Sequence, residues 1–318
     1  ELYREVWLRL NTVLPRCLWI MTINALLDIT NCNGKNVTVT QENVLVDPLQ
    51  VLRCDSRVFR CGPILKIVLR ILEASLAASR SQLSRHLLDK PLLEKSGQLT
   101  SDAEREELKN ALVAAQESAA LQILLEACLE TEEDQCKPEL MWALREVRSI
   151  ICSFLHQIFI SEPSLAKLVH FQGYPRELLQ VTVQGIPSMH ICLDFIPELL
   201  SQASLEKQIF AVDLVSHLSI QYALPKAMSI ARLCVNTLST LLSVLPSDLR
   251  LELFQPVLKS LVRICIAFPS LLEDIISLLL QLGRICESQV SLGHCWNDAN
   301  ILGEGAYVQS DVQSDSKV

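Results

Sequence analysis

Seven prolines between residues 164 and 287 constrain this chain most: Pro175, Pro187, Pro197, Pro225, Pro246, Pro256 and Pro269. Proline lacks an amide donor and clashes with the preceding helical turn, so each one marks a helix start, a turn or a kink. Between them the apolar residues recur at intervals of three and four. Leu205, Ile209, Val212, Val215, Leu218 and Tyr222 form one such row, and Ala231, Val235, Leu238, Leu242 and Leu245 a second. Leu249, Leu253, Val257, Leu261, Ile264 and Phe268 make a third, and Leu272, Ile275, Leu279 and Leu282 a fourth. That spacing puts each row on one face of an α-helix. Ser270 and Glu273 match a capping box for the last of these helices.

Helices of about 15 to 20 residues cannot bury such stripes alone, and stacking antiparallel neighbours does so. The expected fold is therefore all-α, an irregular HEAT-like helical repeat (α-solenoid) over 161–290, with an irregular bundle as the alternative. Composition agrees, because leucine and alanine dominate while the 318 residues include 9 glycines and 5% aromatics. Residues 1–90 read as an N-terminal helical part: helices at Leu2–Leu14 and Cys17–Ile29, a polar loop near 31–43, and a long helix over Pro63–Leu88. Val37–Thr40 is the one strand-like run. Leu87–Leu99 reads as a linker. Residues 101–160 read as two helices around an acidic loop, the first opened by Ser101 and Glu104 and running to Leu129, the loop at Thr131–Pro138, the second at Glu139–Ile160. Periodicity stops after Glu287, and 291–318 reads as a disordered tail.

Glu1 rather than Met opens the chain, without a basic-then-apolar leader, so it is expected to be part of a longer protein. The longest uncharged stretches, such as Leu233–Ser247, fall short of the roughly 20 apolar residues of a membrane span. Twelve cysteines without a CxxC pair read as reduced core residues. Cys152, Cys192, Cys234, Cys265 and Cys286 sit on apolar helix faces, and Cys54 and Cys61 lack a second ligand pair, so no metal or cofactor is expected.

The net charge is −8, and Thr100–Asp134 alone carries ten acidic residues against Arg105 and Lys109. Such a balance argues against general nucleic-acid binding. Arg53, Arg57, Arg60, Lys66 and Arg70 form a basic run, expected to be a solvated face that pairs with the acidic stretch Asp102–Glu107. Its alternative is a contact with RNA or an acidic partner.

No phosphate loop, HExxH or GxSxG pattern occurs, and the chain is expected not to be an enzyme. His190, Cys192 and Asp194 are the one dense polar trio. On an α-helix His190 and Asp194 share a face and make a salt bridge or partner contact, whereas Cys192 points elsewhere. His86, His156, His170 and His217 read as half-buried packing residues. The junctions at His170–Pro175 and Gly185–His190 are tight corners, with Phe171 and Tyr174 as a candidate partner-docking edge.

These junctions also carry a resemblance. Leu168-Val169-His170-Phe171-Gln172-Gly173-Tyr174-Pro175 and the run Gly185-Ile186-Pro187-Ser188-Met189-His190 through Leu199 are similar to the Integrator complex subunit 2 family. So are Leu205–Ala211, Gln221–Lys226, Asp47-Pro48-Leu49, Val51–Asp55 and Arg105–Leu112. The similarity covers roughly residues 1–290. It departs at Thr131–Pro138, which is shorter than the family's insertion, and after about residue 290. The resemblance implies the carboxy-terminal part of a nuclear scaffold subunit that contacts other Integrator subunits and, indirectly, the RNA polymerase II machinery. Small nuclear RNA 3′-end formation and early termination are the processes implied, with cleavage left to other subunits.

Overall fold

A computed structural model describes residues 48–52, 56–88 and 102–288, and every regular element within them is an α-helix or a 3-10 turn. The helices are α1 (Pro48–Val51), α2 (Gly62–Leu88), α3 (Asp102–Glu126), α4 (Glu132–Cys136), α5 (Pro138–Ser161) and α6 (Pro163–Gln172). They continue with α7 (Leu179–Gly185), α8 (Ile196–Leu200), α9 (Leu205–Gln221), α10 (Pro225–Val244), α11 (Ser247–Ala267) and α12 (272–288). Four 3-10 turns lie between them, at Ser56–Arg60, Arg176–Leu178, Pro187–Asp194 and Pro269–Leu271. The all-α expectation holds. Calls on residues 1–47, on the linker after Leu88, on Ser101 and on the tail lie outside the described residues.

Prolines set the boundaries. Pro138, Pro163, Pro187 and Pro225 each occupy the first helical position, where the missing amide donor has no partner to lose. Pro256 is the exception, lying inside α11.

Two capping expectations change. The acidic stretch after Thr131 is a helix, not a loop: the Asp134 amide donates to Thr131 Oγ1 (3.3 Å) and the Thr131 amide to Asp134 Oδ2 (2.9 Å). Glu132, Glu133 and Asp134 in its first turn also suit the positive helix N-terminus. Conversely, Ser270 makes no cap, because Pro269 opens a 3-10 turn that contains it and its hydroxyl turns toward Met228 Sδ, 3.7 Å away.

One continuous apolar core runs from Val51 to Leu278. Helix α9 lies at its centre, packing most extensively on α11 and also on α7, α8 and α10. The single apolar face expected for α9 is too narrow a description: Gln208 through Ser216 are all buried, with Leu218 and Ser219. Phe210, Ala211 and Leu214 widen the apolar surface around the helix, so it needs covering on every side. Helix α10 is, by length and composition, apolar enough to cross a membrane, the one such helix among the described residues. Here its inner row of Ala227, Ala231, Cys234, Val235, Leu238 and Leu242 is buried in the shared core, while Lys226 and Arg232 face outward.

Cysteines fill tight places in this core. Cys61, Cys128, Cys152, Cys192 and Cys234 are buried free thiols, Cys265 and Cys286 are half-buried, and Cys136 is exposed. At the end of α7 the backbone of Gly185 approaches Cys152 of α5 so closely that an added Cβ would lie 2.6 Å from its sulfur. Overpacking of this kind costs about 1–3 kcal/mol. Denaturant unfolding should therefore show Gly185→Ala less stable by that amount, with Cys152→Ala in the same chain recovering part of the loss.

Candidate functional site

The polar trio is split by its backbone. Pro187–Asp194 is a 3-10 helix, with three residues per turn, so His190 and Asp194 do not share the face that α geometry gives them. His190 is exposed, its Nδ1 donating to the Pro187 carbonyl (3.2 Å) and its ring edge-on to Tyr222. Asp194 pairs instead with Lys226 of α10. Cys192 points into the core.

There it meets a group from 22 residues earlier. Cys192 Sγ lies 3.6 Å from His170 Nε2, and His170 Nδ1 donates to the Ala166 carbonyl (2.7 Å), which leaves Nε2 as an acceptor. Thr182 donates to the Leu179 carbonyl (3.1 Å), so its oxygen accepts from the Tyr174 hydroxyl (3.1 Å). A Cys–His pair acts as a nucleophile when it forms thiolate and imidazolium. Burial opposes both: it pushes the Cys192 thiol up and lowers His170 to about 4, against the lone upward pull of the Ala166 carbonyl. The pair is neutral packing, and His170 is fully rather than half-buried. His156 and His217 are half-buried as expected, while the side chain of His86 lies outside the described residues. Among the described residues no three His, Cys, Asp or Glu side chains gather as metal ligands.

The aromatic docking edge also divides. Gly173 adopts φ +81° after α6, a conformation that favours glycine, and the chain turns Tyr174 inward. Its ring packs edge-on against Phe210 at 5.0 Å and is buried, so Tyr174 forms no surface. Phe171 stays half-exposed under the Lys167 ammonium, 5.3 Å from the ring centroid.

Arg60 leaves the basic run by the same logic. Its Nε and Nη2 donate to Asp134 Oδ1 (2.9 Å) and Oδ2 (2.7 Å), while Nη1 and Nη2 reach the Ala127 (2.7 Å) and Leu129 (2.9 Å) carbonyls. Arg60 thus takes its acidic partner from α4, while the side chains of Asp102 and Glu104 lie outside the described residues. Lys66 and Arg70 remain exposed on α2; Arg53 and the side chain of Arg57 lie outside the described residues. The Arg60 hydrogen bonds hold the Asp134 carboxyl at about 2, against a smaller upward push from burial and with help from Thr131.

A second ionic centre is absent from the motif reading. Buried Asp213 of α9 accepts from Arg176 Nε (2.9 Å) through Oδ2, and from Ser260 (2.8 Å) and Arg263 Nη1 (2.8 Å) through Oδ1. Arg176 also donates to the Pro256 carbonyl (3.0 Å). The 3-10 turn at Arg176–Leu178, α9 and α11 are thereby fastened together. A lone aspartate within an apolar helical run was the available signal, since buried carboxylates are paired.

These features define a class: an all-helical protein whose arginines and buried carboxylates hold helices together around an apolar core. The family model described as Integrator complex subunit 2 matches residues 1–291. Integrator complex subunit 2 of Mus musculus is 50% identical, over 90% of this chain and 27% of that protein. The Homo sapiens protein gives the same identity and coverage, and the Drosophila melanogaster one is 42% identical over 92% of this chain and 26% of its own length. The chain belongs to the Integrator complex subunit 2 family, and it spans about a quarter of the length of these relatives.

Three outcomes test the ionic centres. Asp213→Asn leaves two arginines facing an uncharged core group and should lower stability by about 2–4 kcal/mol in denaturant titration. Arg176→Gln, at a partly exposed side chain, should cost about 1 kcal/mol or less. Asp134 has a depressed folded pKa, so its contribution is complete above the ordinary value of 3.8 and is lost as pH falls toward about 2. Unfolding followed from pH 5 to 2 should show that acid loss, and Asp134→Asn should flatten it.

Proposed function

We propose that this chain is a scaffold segment of the Integrator complex that acts in the nucleus through protein–protein contacts. On this reading it supports RNA polymerase II transcript processing, in small nuclear RNA 3′-end formation and early termination, and contributes no catalysis or cofactor of its own. What carries the proposal is the large apolar surface left open on the last helices of a chain of this family. Leu251, Val262 and Ile266 of α11 are 60%, 57% and 68% exposed, and Ile276 and Leu280 of α12 are also open. Apolar patches of this kind on a folded surface mark contacts with other proteins.

The helical stacking supports a solenoid form of scaffold. Helix α9 packs broadly on α11, two elements further along, and less on α10 between them, as the layers of a helix-pair repeat do. RNA binding through the basic run is the weaker reading, because Arg60 is committed to Asp134. Phe171, with its ring half-open beside Lys167, fits a partner contact better than Tyr174 does.

The test is affinity purification of the tagged full chain from nuclear extract, with mass spectrometry of the chains that accompany it. Other Integrator subunits should be enriched over an untagged control. Their absence, with the chain folded and nuclear, would overturn the proposal.

A further inference from the structure

Helix α11 carries two apolar faces. Leu253, Val257, Leu261 and Ile264 face the core, and Leu251, Leu258, Val262 and Ile266, spaced by seven, four and four, line the opposite side and are exposed. One edge of this outer row is basic. Lys259 and Arg263 follow Leu258 and Val262 by one residue each, which places both about 100° around the same flank. Glu252 stands nearly two turns before Lys259, so the positive stretch begins beside Leu258.

Asp213 concentrates that charge rather than cancelling it. A single carboxylate faces the guanidinium groups of both Arg176 and Arg263, each about a third exposed, which leaves one positive charge in excess at the surface. His217, 3.9 Å from Asp213, feels the same field: after burial, Arg263 and Arg176 help to lower its pKa while Asp213 opposes them.

We propose that the outer face of α11, formed by Leu258, Val262 and Ile266 and edged by Lys259 and Arg263, docks an amphipathic helix of another Integrator subunit whose apolar row is flanked by aspartate or glutamate. This rests on the scaffold reading and narrows it to one surface and one partner chemistry. Complementary charge fixes register beside an apolar seam, as flanking pairs do in helix-to-helix recognition. A second copy of this chain fits worse, because an antiparallel two-fold pairing of α11 sets Lys259 and Arg263 against their own copies. Residues 289–318 fit worse as well, since glycines at 293, 303 and 305 disfavour a helix there.

Photo-crosslinking tests the assignment. The full chain, carrying benzoylphenylalanine at position 262, is expressed in cultured animal cells, irradiated and purified, and the crosslinked peptide is sequenced by mass spectrometry. The expected product is a peptide of another Integrator subunit with apolar residues at three- and four-residue spacing and acids alongside. Lys259→Glu should reduce that crosslink by about five- to tenfold, and an acid-to-lysine change in the mapped peptide should restore it. Circular dichroism identical to the parent chain establishes that Lys259→Glu still folds. A crosslink to residues 289–318, or to a second copy, overturns the inference. So does the absence of any crosslink while Integrator subunits still co-purify, an outcome that leaves the scaffold proposal standing. Loss of all Integrator subunits from the wild-type purification removes both.

Discussion

A carboxylate buried in the middle of a helix that is covered on every side has to be compensated from outside that helix. Asp213 is in this position, and its partners come from 37 residues before it and from 47 and 50 residues after it. Desolvating the carboxylate is unfavourable, and the two guanidinium groups and the Ser260 hydroxyl offset it only when the 3-10 turn, α9 and α11 are correctly placed. The apolar surface of α9 supplies most of the attraction among these helices without specifying rotation or register, because hydrophobic burial is non-directional. Asp213 supplies direction. Arg263 also bonds the Ser216 hydroxyl one turn further along α9, at 3.3 Å, so the fastening resists rotation about the carboxylate.

The other end of the chain solves a different problem with the same residue type. Helix α3 ends at Glu126, where the amides of Ala127, Cys128 and Leu129 still donate to the Ile123, Leu125 and Glu126 carbonyls, so the acceptors left to satisfy are those of the turn that follows. Arg60 takes the Ala127 and Leu129 carbonyls, and Arg148 Nε takes the Cys128 carbonyl at 2.8 Å. Arginine suits this role because its rigid fork offers five donors and keeps its charge when partly buried. Arg60 of the basic run and Asp134 of the acidic stretch are consequently internal. Net charge counted along the sequence thus overstates what this region shows to a partner.

Elements that depend on local chemistry were legible in the sequence. Proline positions anticipated the starts of α10 and α11 and the turns near Pro175 and Pro187, and apolar spacing anticipated the inner rows of α10 and α11. What failed was whatever depended on helix type or on distant neighbours. The pairing of His190 with Asp194 required 3.6 residues per turn, and the segment winds at about three. Tyr174 looked like an interface aromatic, but the +81° φ at Gly173 turns it inward, and a lone sequence shows the glycine without its torsion. The contact of Cys192 with His170, and the convergence of Arg176 and Arg263 on Asp213, join residues 22 to 50 positions apart that share no motif. Thr131 with Asp134 is a capping box outside the usual pattern, because its N3 residue is aspartate rather than glutamate or glutamine.

The two faces of α11 differ in what covers them. Its inner row meets α9 across the core, and Asp213 fixes that contact from within; its outer row lies on the far side of the same helix and shares no described core partner with it. Rows that share no partners contribute to the free energy nearly independently. Burial of Leu253, Val257 and Leu261 therefore belongs to folding, and covering Leu258, Val262 and Ile266 belongs to association. Arg263 is the link between the two, because its Nη1 is held by the core carboxylate while the side chain edges the outer face. A partner that places an acid beside Arg263 acts on a guanidinium already fixed in position by Asp213. The ordering entropy of that long side chain is lost on folding and not again on binding, which favours association at this edge over one built from free surface lysines.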